Sequence, residues 1–264
     1  MENYKQLLRH VLSHGERRSD RTGVGTFSTF FETIHFLPEY GFPLLPLRFI
    51  SFKTIFYELM FFLRGETNVK YLTDHGVKIW NNWADKDGNL GPIYGKQWRD
   101  WNGVDQIGRL MQGLKDDPLS RRLVVSAWNA SELNDMALPP CHYSFQCYVS
   151  INDQKRHRLS MLANMRSSDL IVGLPHNIAE YALLMHLMCA TLDYDVGELN
   201  FTLGDAHIYT NHVEAAWDLI KRTSLDLPQI EIINVRENLE DYTIDDIKLI
   251  NYKHHDRIKL DVAI

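Results

Sequence analysis

The stretch LPPCHYSFQC (138–147) sets Cys141 behind Pro139 and Pro140 and directly before His142. Two successive prolines fix two φ angles near about −65° and remove two backbone donors, so the thiol is presented from a stiff segment. A cysteine so placed is either a packed apolar group, since free cysteine is among the most buried residue types, or a nucleophile. A nucleophilic thiol needs cationic surroundings to hold its thiolate. Arginines occur in three contexts that could supply them: Arg21 in SDRTG, Arg121 and Arg122 in DPLSRRLVVSAW, and Arg166 in NMRSSD, where Ser167 follows. Taken singly they read as solvated side chains. Converging with a serine hydroxyl, they would bind a phosphate bidentately and lower the pKa of a nearby thiol.

Other chemistries find less support. Cys141, Cys147 and Cys189 form no C-x-x-C pair and no even framework, so neither a disulfide nor a zinc site is expected, and a reducing compartment is. Twelve histidines invite a metal reading, but His10 and His14, four residues apart, have no acidic partner and no H-E-x-x-H pattern. No metal is expected. No Walker-type or G-x-G-x-x-G loop points to ATP or a dinucleotide.

The elements that must position these residues come from a chain of 264 residues that is 45% hydrophobic, enough for a substantial core in a single domain over 1–264. A net charge of −6 with no long basic block argues against general affinity for nucleic acid or membrane surfaces. The N-terminal pattern lacks the apolar core of a signal peptide, which implies a cytoplasmic protein. The most apolar run, IAEYALLMHLMCATL (178–192), is broken by Glu180 and His186 and reads as a buried helix. Helical patterns occur at about 2–14, 52–64, 105–115, 174–192 and 212–222. Strand-like runs occupy 122–128, 143–151, 158–164, 198–204 and 229–235, with NDQKRH between the second and third as a hairpin loop. The two kinds do not alternate regularly, so the expected class is α+β with one mixed or antiparallel sheet.

Seven ordered segments together resemble thymidylate synthases: SDRTGVGT, LGPIYGKQWRDW, SRRLVVSAWN, MALPPCH, GLPHNIAEYALL, GDAHIYTNH and the closing VAI. The resemblance implies a homodimeric α+β enzyme moving a one-carbon unit from 5,10-methylenetetrahydrofolate to C5 of a pyrimidine nucleotide. Cys141 then matches the nucleophile that adds to C6, which makes C5 a carbanion. Arg21, Arg166 and Ser167 match phosphate ligands, and Arg121 and Arg122 would reach the phosphate of the opposite subunit. Glu58, in FYELMFFL, matches the proton shuttle; desolvation among aromatics would raise its pKa, although a lone glutamate in an apolar helix otherwise turns outward. His207 and Tyr209 match ribose ligands, and a spacing of two puts both on one strand face. Trp80, Trp83, Asp169, Gly173 and Ile264 match folate-site positions, with ordinary core packing the alternative for the tryptophans. Tyr94 and His142 match the hydrogen-bond network around the ring.

The same resemblance bears on substrate and product. Asn177 stands where the family reads the base, and an amide can donate to O4 and accept from N3–H of uracil, so the expected substrate is dUMP. NMRSSD, with Asn164 and Met165, is similar to the hydroxymethylase branch. His176 replaces a phenylalanine against the folate, and PLRF (46–49) leaves Arg48 as a basic substitute where polyglutamate contacts fall. Asn164 and His176 are expected to add hydrogen-bonding groups near the exocyclic carbon, favouring water over hydride. The expected product is 5-hydroxymethyl-dUMP with tetrahydrofolate released. The alternatives are dTMP with dihydrofolate and a silent nucleotide-binding dimer.

Overall fold

The computed structural model describes residues 1–260. In chain order the elements are α1 (Glu2–His14), β1 (Glu16–Arg18), β2 (Thr26–Phe36), α2 (Phe52–Leu63), α3 (Lys70–Asp74), α4 (Tyr94–Arg99) and α5 (Gln106–Asp116). They continue with β3 (Val124–Ser126), β4 (His142–Ile151), β5 (His157–Asp169), α6 (Gly173–Leu192), β6 (Asp195–Tyr209), α7 (Val213–Lys221), β7 (Gln229–Ile232) and β8 (Ile247–Ile250). The class is α+β with a mixed sheet, as the irregular alternation of patterns implied. Strands run in the order β1-β2-β6-β5-β4-β3, all antiparallel except β5 beside β6. β7 and β8 form a separate antiparallel ladder.

Period-two alternation gives the sheet two unlike faces. Phe145, Cys147 and Val149 of β4, Leu159, Met161 and Ala163 of β5, and Leu199, Phe201 and Leu203 of β6 are buried on one face. α6, whose Leu174, Ile178, Tyr181, Leu184 and Met188 are all buried, packs on β5 and β6 on that side and against α2 on the other. The opposite face carries Ser144, Gln146 and Tyr148, then Ser160, Leu162 and Asn164, then Asn200 and Thr202. α2 begins at Ser51, whose side chain accepts from the Thr54 N–H at 3.2 Å. Gly95 lets α4 lie directly on α2: a Cβ there would sit 2.6 Å from the Phe62 carbonyl oxygen. That approach sets Tyr94 4.9 Å from the Phe62 ring.

β2 is absent from the sequence reading. Its middle holds adjacent Phe30 and Phe31, both exposed, and Phe31 has φ 66, so pairing with β6 skips from Phe30↔Asp205 to Glu32↔Leu203. The register is the same on either side, but two adjacent exposed phenylalanines break the apolar/polar alternation by which a strand is recognised. β5 and β6 also run to Asp169 and Tyr209, past 164 and 204, because they pair with each other in parallel: Ser167 with Asp205, Asp169 with His207. Among the described residues no helix is long and apolar enough to cross a membrane.

Candidate active site

Cys141 lies directly before β4, against the end of β5. Its backbone N–H donates to the Tyr94 hydroxyl at 2.8 Å, and its carbonyl accepts from the Arg166 N–H at 2.9 Å. The Arg166 side chain folds back over the two prolines, donating from Nε to the Pro140 carbonyl and from Nη2 to the Pro139 carbonyl, both at 2.8 Å. The prolines that cannot donate thus serve as acceptors. This grip leaves Nη2 3.9 Å from the Cys141 Sγ, with the guanidinium 5.5 Å from the Trp128 ring centre.

Electrostatics at the thiol correct one expectation. Burial pushes the Cys141 thiol above its usual pKa; Arg166, the Tyr94 hydroxyl and Arg21 pull it back, while Asp169 adds to the rise. The arginines oppose burial without overturning it in the isolated chain. Cys147 and Cys189 are fully packed, and burial pushes Cys189 up to about 12. Cys141 alone of the three has partial exposure. Beneath it His142 stacks on Tyr94 with ring centres 4.2 Å apart, and its Nδ1 lies 2.9 Å from the Tyr181 hydroxyl. Burial lowers its pKa to about 3, so the imidazole is neutral.

The parallel ends of β5 and β6 bring Ser167, Asp169, His207 and Tyr209 alongside. His207 and Tyr209 share a face, their rings 5.2 Å apart, as the spacing of two required. His207 Nδ1 lies 3.1 Å from Asp205 Oδ1. Burial raises the Tyr209 hydroxyl to about 12, and the charges acting on it include Asp169, Asp20, Arg21 and Cys141, so the loop before β2 reaches the same place. Asp169 Oδ1 accepts from the N–H groups of Ile171 at 2.8 Å and Val172 at 3.2 Å, which turns the chain into α6 at Gly173.

The first turns of α6 carry His176 and Asn177. His176 Nδ1 sits 2.8 Å from the Val172 carbonyl, which can only accept, so Nδ1 holds the proton and Nε2 is left as an acceptor. Burial and Arg48 lower this imidazole to about 4, and it is neutral. The half-buried amide of Asn177 has no hydrogen-bond partner among the described residues. Across from α6, Glu58 Oε1 accepts from Trp80 Nε1 at 2.9 Å; burial raises this carboxyl to about 7 against that hydrogen bond. Trp83 packs 5.8 Å from Trp80, with its buried Nε1 unpartnered. Among the described residues no group of three His, Cys, Asp or Glu could hold a metal.

The remaining expected positions take other places. Arg121 and Arg122 are exposed in the loop before the edge strand β3, their side chains make no hydrogen bond or ion pair among the described residues, and neither acts on Cys141. Asn164 faces the outer side of the sheet, donating to Ser144 Oγ at 3.1 Å and accepting from Thr202 Oγ1 at 2.6 Å. Both ends of its amide are thus held by neighbouring strands, contrary to its expected place by the exocyclic carbon. Met165 alternates inward, is 3% exposed, and lies opposite His142. Arg48 is buried, donating from Nη2 to the Ile171 carbonyl at 3.1 Å with Nε unpartnered, so it is not a surface tether for polyglutamate. Ile264 lies outside the described residues. Tyr181 and Trp128, which support His142 and Arg166, went unnoticed because nothing local in EYALL or SAWN marks them.

The thymidylate synthase family model matches residues 2–264. The chain belongs to that family. Its members are folate-dependent one-carbon transferases that use 5,10-methylenetetrahydrofolate and act at C5 of dUMP.

Proposed function

We propose that this member of the thymidylate synthase family converts dUMP to 5-hydroxymethyl-dUMP, with Cys141 as nucleophile and tetrahydrofolate as the released folate. The Cys141 thiolate adds to C6, C5 takes the methylene from the folate, and elimination leaves an exocyclic methylene on the ring. Water then adds to that carbon, and the thiolate leaves C6. Arg21, Arg166 and Ser167 hold the phosphate, and its charge meets the guanidinium that touches Sγ. His207 and Tyr209 hold the ribose, while Tyr94 and His142 belong to the network around the ring. Trp80, Trp83, Asp169, Gly173 and His176 face the folate; the indole planes and the unpartnered Trp83 N–H suit a flat heteroaromatic.

The observation that carries the product assignment is His176. A neutral imidazole with a free Nε2 acceptor, one residue from Asn177, can orient a water where a hydrocarbon ring could not. One observation favours the second reading, dTMP with dihydrofolate: Trp80 is 7% exposed and locked to Glu58, which keeps that wall dry for hydride transfer. Mass spectrometry of the nucleotide, run alongside dihydrofolate absorbance, is expected to give 5-hydroxymethyl-dUMP without dihydrofolate. Stoichiometric dTMP and dihydrofolate would mean a thymidylate synthase.

Asn177 is the proposed reader of the base, supported by its unpartnered amide. Asn177→Asp is expected to shift preference from dUMP toward dCMP. Losing the donor to O4 leaves a buried polar group unpaired at about 1–3 kcal/mol, or roughly one to two orders of magnitude in kcat/KM. Unchanged selectivity would assign base reading elsewhere.

We further propose a homodimer closed by the outer sheet face. Phe30, Phe31, Trp128, Tyr143 and Tyr148 are exposed on or beside it, and exposed aromatics of this density usually mark an interface. The unpaired Arg121 and Arg122 would then serve the opposite subunit's phosphate.

A further inference from the structure

All three residues of β1, at the edge of the sheet, are exposed, so burial of its own side chains does not explain the strand. What it carries is Arg18, whose Nη1 donates to Asp205 Oδ2 at 2.9 Å. Ser28 of β2, 4% exposed, donates from Oγ to the other oxygen, Oδ1, at 2.7 Å. The same Oδ1 lies 3.1 Å from His207 Nδ1. Three strands therefore meet on one carboxylate. The hydrogen bond from His207 first, then that from Ser28 and the charge of Arg18, hold it below the usual carboxylate range against burial.

An ionised carboxylate can only accept, and so can the Asp205 backbone carbonyl, which lies 3.3 Å from the same nitrogen. A single ring proton therefore sits on Nδ1, which leaves Nε2 of this buried imidazole as a bare acceptor. Tyr209, on the same face with its ring 5.2 Å away, has its hydroxyl raised to about 12 and keeps a proton to donate. One hydroxyl placed between the two can accept from Tyr209 and donate to His207, with no donor facing a donor. A sugar carrying a 3'-phosphate, or only hydrogen at that carbon, has no such proton to give.

We propose that Asp205, held by Arg18 and Ser28, is a positioning residue that fixes the His207 proton on Nδ1, so that Nε2 accepts from the nucleotide's 3'-hydroxyl and the site selects a free hydroxyl there. A hydrogen bond to a carboxylate is roughly twice as strong as one to a neutral acceptor, so the side chain of Asp205, rather than its backbone carbonyl, sets the tautomer. The inference rests on the reading of His207 and Tyr209 as the ribose ligands. It is independent of whether water or hydride completes the reaction.

Nitrogen-15 NMR of histidine-labelled protein at pH 8 reads the tautomer, with the His207 signals assigned by their loss in His207→Gln. In the wild type the proton should sit on Nδ1. Asp205→Asn should move it to Nε2 in most molecules: the amide has one oxygen, Arg18 can only donate and claims it, and the NH2 group then faces Nδ1. Nε2–H and the Tyr209 hydroxyl would then both point at the 3'-oxygen. Equilibrium binding of dUMP should weaken about tenfold in this variant, the scale of one hydrogen bond. Binding of 2',3'-dideoxy-UMP, which lacks the hydroxyl, should match that of the wild type. A proton on Nε2 in the wild type overturns the proposal with no variant needed, so the test survives an Asp205→Asn chain that fails to fold. A tautomer unmoved by Asp205→Asn assigns it to the backbone carbonyl and removes the Asp205 side chain. Equal weakening of both nucleotides makes Asp205 merely structural and overturns the positioning role. Wild-type protein that binds the two nucleotides equally instead overturns the ribose reading of His207, and the selection of a 3'-hydroxyl with it, whatever the tautomer.

Discussion

Cys141→Ser is expected to abolish turnover, lowering kcat by roughly 10⁴-fold or more, the scale of loss when the nucleophile of a concerted catalytic unit is removed. Without addition at C6, C5 of the pyrimidine has no carbanion character, so no other group compensates. Incubation of the wild type with 5-fluoro-dUMP and 5,10-methylenetetrahydrofolate should trap a covalent adduct on this cysteine. The packed thiols of Cys147 and Cys189, both at most 2% exposed, should remain unmodified. An adduct mapped to either would overturn the assignment. The dead variant also tests the shared site. Mixed with Arg121→Ala chains, it should form heterodimers in which one site carries both defects and the other is intact, restoring activity. Confirmed subunit exchange without recovery would remove Arg121 from the partner's phosphate site.

Glu58→Gln is expected to cost about 10²- to 10⁴-fold in kcat, the usual contribution of a positioned general acid or base, with little change in KM for dUMP. The pH dependence follows from burial, which raises the Glu58 carboxyl from 4.5 to about 7. The group is a donor below that pH and loses its proton as pH rises through it, so the wild-type rate should decline on the alkaline side. Stability moves in the same direction. A carboxyl whose folded pKa is raised favours the folded state fully below its unfolded value near 4.5, and that advantage is lost as pH climbs toward 7. Glu58→Gln should therefore flatten the fall in melting temperature between pH 5 and 8. A variant as active as the wild type, with the same alkaline limb, would remove Glu58 from the proton path.

Much of this molecule is legible in its sequence because the signals are local. The apolar runs of α2 and α6, the amphipathic α1, the NDQKRH hairpin and the proline pair before Cys141 each state their structure within a few residues. The seven motif segments carry the family and many positions of the cluster around Cys141, while Glu58, Trp80, Trp83, Arg166, Ser167 and Asp169 lie outside them. Tertiary structure decided what depends on partners far along the chain. The parallel pairing of β5 with β6 extends both strands into the site, and pairing with β6 makes a strand of β2 although its adjacent Phe30 and Phe31 break the alternation. A side chain's face follows from register, so Asn164 turns outward to Ser144 and Thr202 although its neighbours in sequence serve the site. Burial is likewise a property of the packed whole: it holds the Cys141 thiol up against its arginines and encloses Arg48. Sequence determined which groups could react, and packing decided which charges they keep, because desolvation and proximity exist only once distant segments have closed around them.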